Sequence, residues 1–203
     1  MNGSVTNACD TKTKILDLAE AFLQDKGFNA FSYHDIAAQL GIKNAAVHYH
    51  YPTKEKLGID IIQRARTRFA ALQQRAVQRN DDPWHQLDLF LGIYRNNLLR
   101  QQKVCLLGSL GTDYFTLPNP TQTEIRLLVN EMLDWLTAVL EAGRTSGHFT
   151  FRGEAAHKAM AFTTSLAGAL PMARITDNAH YFAIEKQLLL ELGNEQRTIN
   201  RET

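Results

Sequence analysis

Cysteine is nearly absent. Cys9 and Cys105 are the only two in 203 residues, far apart and outside any Cys-x-x-Cys spacing. That excludes a disulfide framework and a cysteine-built zinc module, and the expected compartment is a reducing cytoplasm. An excess of one charge sign is also missing: Lys and Arg number 22 against 21 Asp and Glu, a net charge of +1. Any nucleic-acid surface must therefore be a local patch. Long apolar runs are lacking too. The least polar stretch, 159–173, contains Thr163, Thr164, Ser165 and Pro171, and is too short and too polar to cross a bilayer. Residues 1–14 are polar and lack the apolar core of a signal peptide, so no membrane partner is expected. No nucleophile–base pair or phosphate loop is evident, and no cysteine or acidic cluster accompanies His34, His48 and His50. Neither catalysis nor a metal or other cofactor is expected.

What remains is an ordinary globular composition, 44% hydrophobic and 21% charged, arranged as helices from end to end. Ile15, Leu18, Ala19, Phe22 and Leu23 repeat at helical spacing, with Asp10 or Thr11 as the cap and Gly27 as the stop. Ser32-Tyr33-His34-Asp35 has the form of a capping box ahead of Ile36, Ala37 and Leu40. Gly41 ends that short helix, and a brief segment around Val47 follows, broken at Pro52. Thr53 opens a long helix carrying Leu57, Ile61, Ala65, Phe69, Leu72 and Ala76, and Arg64, Arg66, Arg68, Arg75 and Arg79 read as its solvated face. Pro83 starts another, where its missing N–H costs nothing. Further stripes run through Leu87 to Leu98, through Ile125 to Leu140 behind a second box at Thr121-Gln122-Thr123-Glu124, and through Ala159 to Leu170. A last one runs from Tyr181 to Leu192 behind Asp177. No segment alternates with strand period. The fold class is all-α: an N-terminal three-helix helix-turn-helix domain, 1–56, followed by a helical effector-binding and dimerisation domain, 57–203.

The helix-turn-helix reading rests on the short second helix, the glycine at its end and the short third helix. Gly41 supplies a backbone angle that Cβ-bearing residues resist, so the third helix can cross the second sharply. Ile36, Leu40, Ile42 and Val47 can form the small core that fixes the crossing. The outer face of the third helix is then available to a major groove, which admits one α-helix.

Asp35-Ile36-Ala37-Ala38-Gln39-Leu40-Gly41-Ile42 followed by Val47-His48-Tyr49-His50-Tyr51-Pro52-Thr53-Lys54-Glu55-Lys56-Leu57 closely resembles the TetR family of transcriptional regulators. The resemblance covers residues 11–57. It implies a repressor that binds double-stranded operator DNA as a homodimer and is released by a small-molecule or electrophile effector. It implies that Asn44 and Ala45 begin the recognition helix, that Tyr49 and His50 reach bases or phosphates, and that Lys54 meets a phosphate; Lys43 joins them as a basic neighbour. Ser32 is a further phosphate candidate, since a helix N-terminus favours an anion. Two residues depart from the family pattern: Lys43 stands where Ser or Pro is usual, which shifts the cap to Asn44, and His48 stands where Tyr is usual.

In the second domain Tyr94, Met132, Trp135 and Phe162 are candidates to line an effector cavity, beside the plainer reading of core packing. The segment Val104 to Gly111 resembles one branch of the family, some members of which sense electrophiles or oxidants through a cysteine while others bind small acids or enoate-like compounds; Cys105 is the candidate sensor, against an inert buried thiol. Dimerisation is assigned to helices 155–174 and 177–192 through Phe162, Leu166, Leu170, Leu188 and Leu192. A competing reading keeps the helical fold but turns it on a protein partner, with weak or no DNA affinity.

Overall fold

The computed structural model describes residues 3–99 and 103–193, with side chains from residue 10 onward. The side chain of Cys9 and the residues from Asn194 onward lie outside the described residues. Among the described residues every regular element is helical: α1 Gly3–Lys26, α2 Tyr33–Leu40, α3 Asn44–His50, α4 Lys54–Gln78, α5 Pro83–Leu99, α6 Leu106–Asp113, α7 Asn119–Thr145, α8 Ala155–Ile175 and α9 Asn178–Leu190, with a 3-10 turn at Tyr114–Thr116.

These helices form two compact units. One combines Met1–Arg68 with Leu106–Leu128; the other combines Phe69–Cys105 with Val129–Thr203. The boundary read from the sequence, after residue 56, follows the chain, whereas the units follow packing. The start of α4, all of α6 and the start of α7 belong with the helix-turn-helix.

In the first unit the local signals take their expected forms. The Ser32 hydroxyl accepts from the Asp35 N–H at 3.3 Å while Asp35 Oδ2 accepts from the Ser32 N–H at 2.7 Å. Gly41 sits at φ 65°, and its N–H and that of Ile42 close the end of α2 on carbonyls of the last turn. Thr53 Oγ1 accepts from the Lys56 N–H at 3.1 Å. Of the small core predicted for the crossing, Ile36 and Val47 are fully buried, joined by Ile15, Leu57 and Ile61, whereas Leu40 and Ile42 are only half-buried.

Three expectations are corrected. α1 already runs from Gly3, so Asp10 and Thr11 lie inside it rather than at its cap, and Asp10 pairs with Lys14 one turn on. The box at Thr121–Glu124 does not form. α7 begins at Asn119, Thr121 is fully buried, and Glu124 instead accepts from Arg66 at 2.7 Å and from Gln63 at 3.1 Å. The cap of α3 does not move to Asn44: Lys43 occupies it without a side-chain hydrogen bond, and Asn44 is the first helical residue.

The second unit is built from α5, α8, α9 and the remaining parts of α4 and α7. α8 packs along α9 and also against α5. Its aromatic core includes Phe69 edge-on to Trp135 at 5.6 Å and Trp84 edge-on to Phe149 at 4.7 Å. Phe149 lies so close over Gly143 that a Cβ there would meet its ring at 2.0 Å. Asp177 caps α9, accepting from the Ala179 N–H at 2.7 Å. Phe162, Leu166, Leu170, Leu188 and Leu192, assigned above to a dimer contact, are buried inside this unit. Their periodicity reports the subunit's own core, because one face of α8 already packs on α5 and α9.

Candidate nucleic-acid interface

α3 is a helix with two unlike faces. Val47 is fully buried and anchors it, while Lys43, Asn44, Ala45, His48 and Tyr49 are all exposed. A spacing of one or two residues from Val47 rotates a side chain by about 100° or 200° about the axis, which carries His48 and Tyr49 away from the core. Tyr49 is 80% exposed, with its ring edge-on to His50 at 5.2 Å.

Behind this face two phenols pack the helices together. Tyr33 of α2 is buried and lies 4.7 Å from the His48 ring, edge-on, so His48 rests on α2 while its other side meets solvent. Tyr51, directly after α3, is buried as well. Burial pushes both phenols up to about 12, Tyr33 with a contribution from Tyr51 and Tyr51 with one from Asp60. Both stay neutral across the physiological range. Tyr33 carries no role of its own in the motif; its place as the first residue of α2, one turn before Ile36 and Ala37, is the signal for a buried ring.

The structure brings Lys43, Asn44, Ala45, His48, Tyr49 and His50 together on or beside one short helix. Ser32 stands at the N-terminus of α2 with its hydroxyl engaged in the capping box, donating to Asp35 Oδ2 at 2.7 Å. Those hydrogen bonds hold the Asp35 carboxyl below the usual carboxylate range.

Lys54 differs from the expectation. Its ammonium turns inward, donating to the Phe28 carbonyl at 2.6 Å and to the Phe31 carbonyl, and lies over both rings at 4.8 and 4.2 Å. Burial holds it below the ordinary lysine range, with Asp113 and Asp35 opposing that shift. Two of its three donors are thus given to the turn between α1 and α2.

Three arginines of α4 are equally committed. Arg64 pairs with Asp17 at 2.5 Å and with Glu20, Arg68 with Glu20 at 2.8 Å, and Arg66 with Glu124 at 2.7 Å. They tie α4 to α1 and α7, whereas Arg75 and Arg79 stay on the exposed face read from the sequence.

In the second unit Tyr94, Met132, Phe162 and Cys105 are buried and Trp135 is half-buried. Tyr94 and Trp135 both contact Phe90, with ring centroids at 5.5 and 6.4 Å. The Tyr94 phenol is raised far above its ordinary value by burial and by the nearby Cys105 thiol, with Thr163 opposing. Among the described residues no group of His, Cys, Asp and Glu is placed to hold a metal ion, and no helix is long and apolar enough to cross a membrane.

A three-helix head with an outward-facing third helix, followed by an all-helical unit, defines the class of helix-turn-helix DNA-binding regulators. Residues 15–61 match the family model described as bacterial regulatory proteins, tetR family. Among solved structures, a TetR-family transcriptional regulator from Agrobacterium tumefaciens is 29% identical with a TM-score of 0.84, over 91% of this chain and 98% of that one. A TetR transcriptional regulator from Legionella pneumophila is 28% identical with a TM-score of 0.77, over 88% and 95%. The reduced form of E. coli NemR shares the fold at 17% identity and a TM-score of 0.73, over 92% and 99%. No curated protein matches the sequence. Residues 15–61 thus carry the N-terminal domain of the tetR family, and the whole chain is similar in fold and sequence to TetR-family transcriptional regulators.

Proposed function

We propose that the chain is an operator-binding repressor that reads DNA with the exposed face of α3 and is released when its second unit takes up an effector. The observation that carries the first half is the pairing of buried Val47 with 80%-exposed Tyr49 on the same two turns of helix. A helix anchored on one side and presenting Lys43, Asn44, Ala45, His48, Tyr49 and His50 on the other suits a major groove. Asn and Tyr can hydrogen-bond to base edges, and Lys43 and the histidines can meet phosphates. Ser32 gives both its N–H and its hydroxyl proton to Asp35 Oδ2, so it reaches a phosphate at the start of α2 only by turning its hydroxyl from that carboxylate. The protein-partner reading draws on the same exposed ring, but a cationic and amide-bearing rim fits a polyanion better.

Selection of genomic fragments by the purified protein tests this. Wild type should retain fragments sharing one sequence element. Tyr49→Ala or Asn44→Ala should change which bases in that element matter, by about 1–3 kcal/mol at the affected position. Retention of random fragments, or none, contradicts the reading.

Two-fold assembly follows from surfaces rather than from the leucine stripe. On α8, Ala161, Thr164, Gly168, Met172 and Ile175 recur at helical spacing outside the core, with Met172 at 55% and Ile175 at 77% exposure. On α9, Phe182 and Ile184 are also open. Small residues flanked by large apolar ones allow two copies of α8 to approach closely, and a dimer is what a regulator needs to span two half-sites. Light scattering of the wild type should give a dimer, and Met172→Glu with Ile175→Glu should give a folded monomer. A dimer unaffected by both charges removes this face from the contact.

The effector is assigned to the aromatic interior of the second unit, around Tyr94, Phe162, Met132 and Trp135, as a small apolar compound or an electrophile that reaches Cys105. Release requires that effector and DNA favour different shapes of the dimer.

A further inference from the structure

We infer that Asp113, at the end of α6, is a positioning residue for the reading helix: through Asn29 its carboxylate fixes the turn from which α2 and α3 start. The inference rests on the DNA-reading proposal for its DNA readout only; the joint itself lies wholly within the first unit.

α6 packs against α1. Asp113 Oδ2 accepts from the main-chain N–H of Asn29 at 3.1 Å, and Oδ1 accepts from the Asn29 side-chain amide at 2.9 Å. The same amide donates to Thr116 Oγ1 at 2.8 Å, whose own proton goes to the Asp113 carbonyl at 2.7 Å. The two amide protons of Asn29 go to different acceptors, and the directions are fixed by the Thr116 hydroxyl having a single proton. Two oxygens of one carboxylate on two donors of one residue hold an angle as well as a distance. That is what separates a joint from an incidental surface contact.

The turn is held from its other side by Lys54, which takes the carbonyls of Phe28 and Phe31. Phe28 O, Asn29 N–H and Phe31 O are thus all bonded by side chains from α4 and α6. The turn's path is therefore set by helices outside it, beginning at Gly27 with φ +94°. Ser32, the cap of α2, follows immediately, and α3 is fixed to α2 through Gly41 and Val47. A shift of α6 is passed to Asn29 and so to the base of the reading head. Preorganisation of that head supports DNA affinity, because ordering it at the moment of binding would cost free energy.

The experiment uses the full-length protein and four variants: Asp113→Ala, Asn29→Ala, the two combined, and the exchange Asn29→Asp with Asp113→Asn, which reverses the donor and acceptor while keeping the pair. Amide hydrogen exchange of α2 and α3 is read in the free protein, and affinity is read on the genomic fragment that the wild type selects. Each alanine variant should speed exchange in α2 and α3 and weaken DNA binding about tenfold, ~1.4 kcal/mol. The combined variant should be no worse than either single one, and the exchange should recover most of the loss. Unchanged exchange in α2 and α3, or losses that add, overturns the inference. Where Asp113→Ala fails to fold, Asp113→Asn decides, since its remaining acceptor should give an intermediate effect. Coupled exchange in a protein that retains no DNA supports the joint and rejects the DNA reading. Wild-type DNA binding with equal binding by all variants rejects the joint alone.

Discussion

Lys54→Ala lowers the stability of the first unit by ~2–4 kcal/mol and weakens binding to every DNA sequence alike, while the dependence of affinity on salt keeps its wild-type slope. The first part follows because the ammonium makes two charge-assisted hydrogen bonds and lies over two rings, and its removal leaves the Phe28 and Phe31 carbonyls without their donor. The second follows from the head losing its set position. The third separates this role from a phosphate contact, because a lysine that neutralises a phosphate would flatten the slope by about 0.9 when removed. Urea unfolding and fluorescence anisotropy at several salt concentrations measure all three. A flattened slope with unchanged stability returns Lys54 to the DNA.

Glu185→Ala destabilises the second unit by ~3 kcal/mol. Glu185 is 6% exposed and takes Arg95 Nε on both oxygens at 3.0 and 2.9 Å and a second nitrogen at 2.5 Å, while Asp88 accepts from the third at 2.7 Å. These partners hold the Arg95 guanidinium above its ordinary value against the opposing pull of burial, the largest single influence on it. Removing the carboxylate leaves a guanidinium in a poorly solvated site with one remaining partner, which is the costly way to break such a pair. Replacing both members, Arg95→Leu with Glu185→Leu, should recover most of the loss in urea unfolding. A single variant within ~0.5 kcal/mol of wild type would show that water already solvates the pair.

What the sequence carries most clearly is local. Ser32 with Asp35, Gly41 after Leu40, and Thr53 before α4 act on backbone groups within four residues, so residue type and spacing suffice to read them. The outward face of α3 follows from Val47 alone, because helical geometry sets everything else relative to the anchored residue. Lys54 shows the limit. Its place in the motif is legible, but the carbonyls that its ammonium reaches lie 23 and 26 residues earlier, and no pattern in the chain states that the turn folds back onto it. Asn29 and Asp113 are 84 residues apart, and neither has a neighbour of its own that marks it. The stripe of Phe162, Leu166 and Leu170 announces an apolar face correctly, yet periodicity does not say whether α5, α9 or a second copy covers it. The arginines of α4 are legible as a charged face, but their partners Asp17, Glu20 and Glu124 come from other helices.

Reading of DNA by α3 is tested most directly by anisotropy titration of the fragment that the wild type selects, across a range of salt, with wild type and Tyr49→Ala side by side. Affinity should fall linearly with salt on logarithmic axes for both proteins, with the same slope. Tyr49→Ala should lose its preference for the selected fragment over a scrambled one while remaining dimeric and fully folded. Salt-independent binding, or an undiminished preference in Tyr49→Ala and Asn44→Ala alike, contradicts recognition through this face.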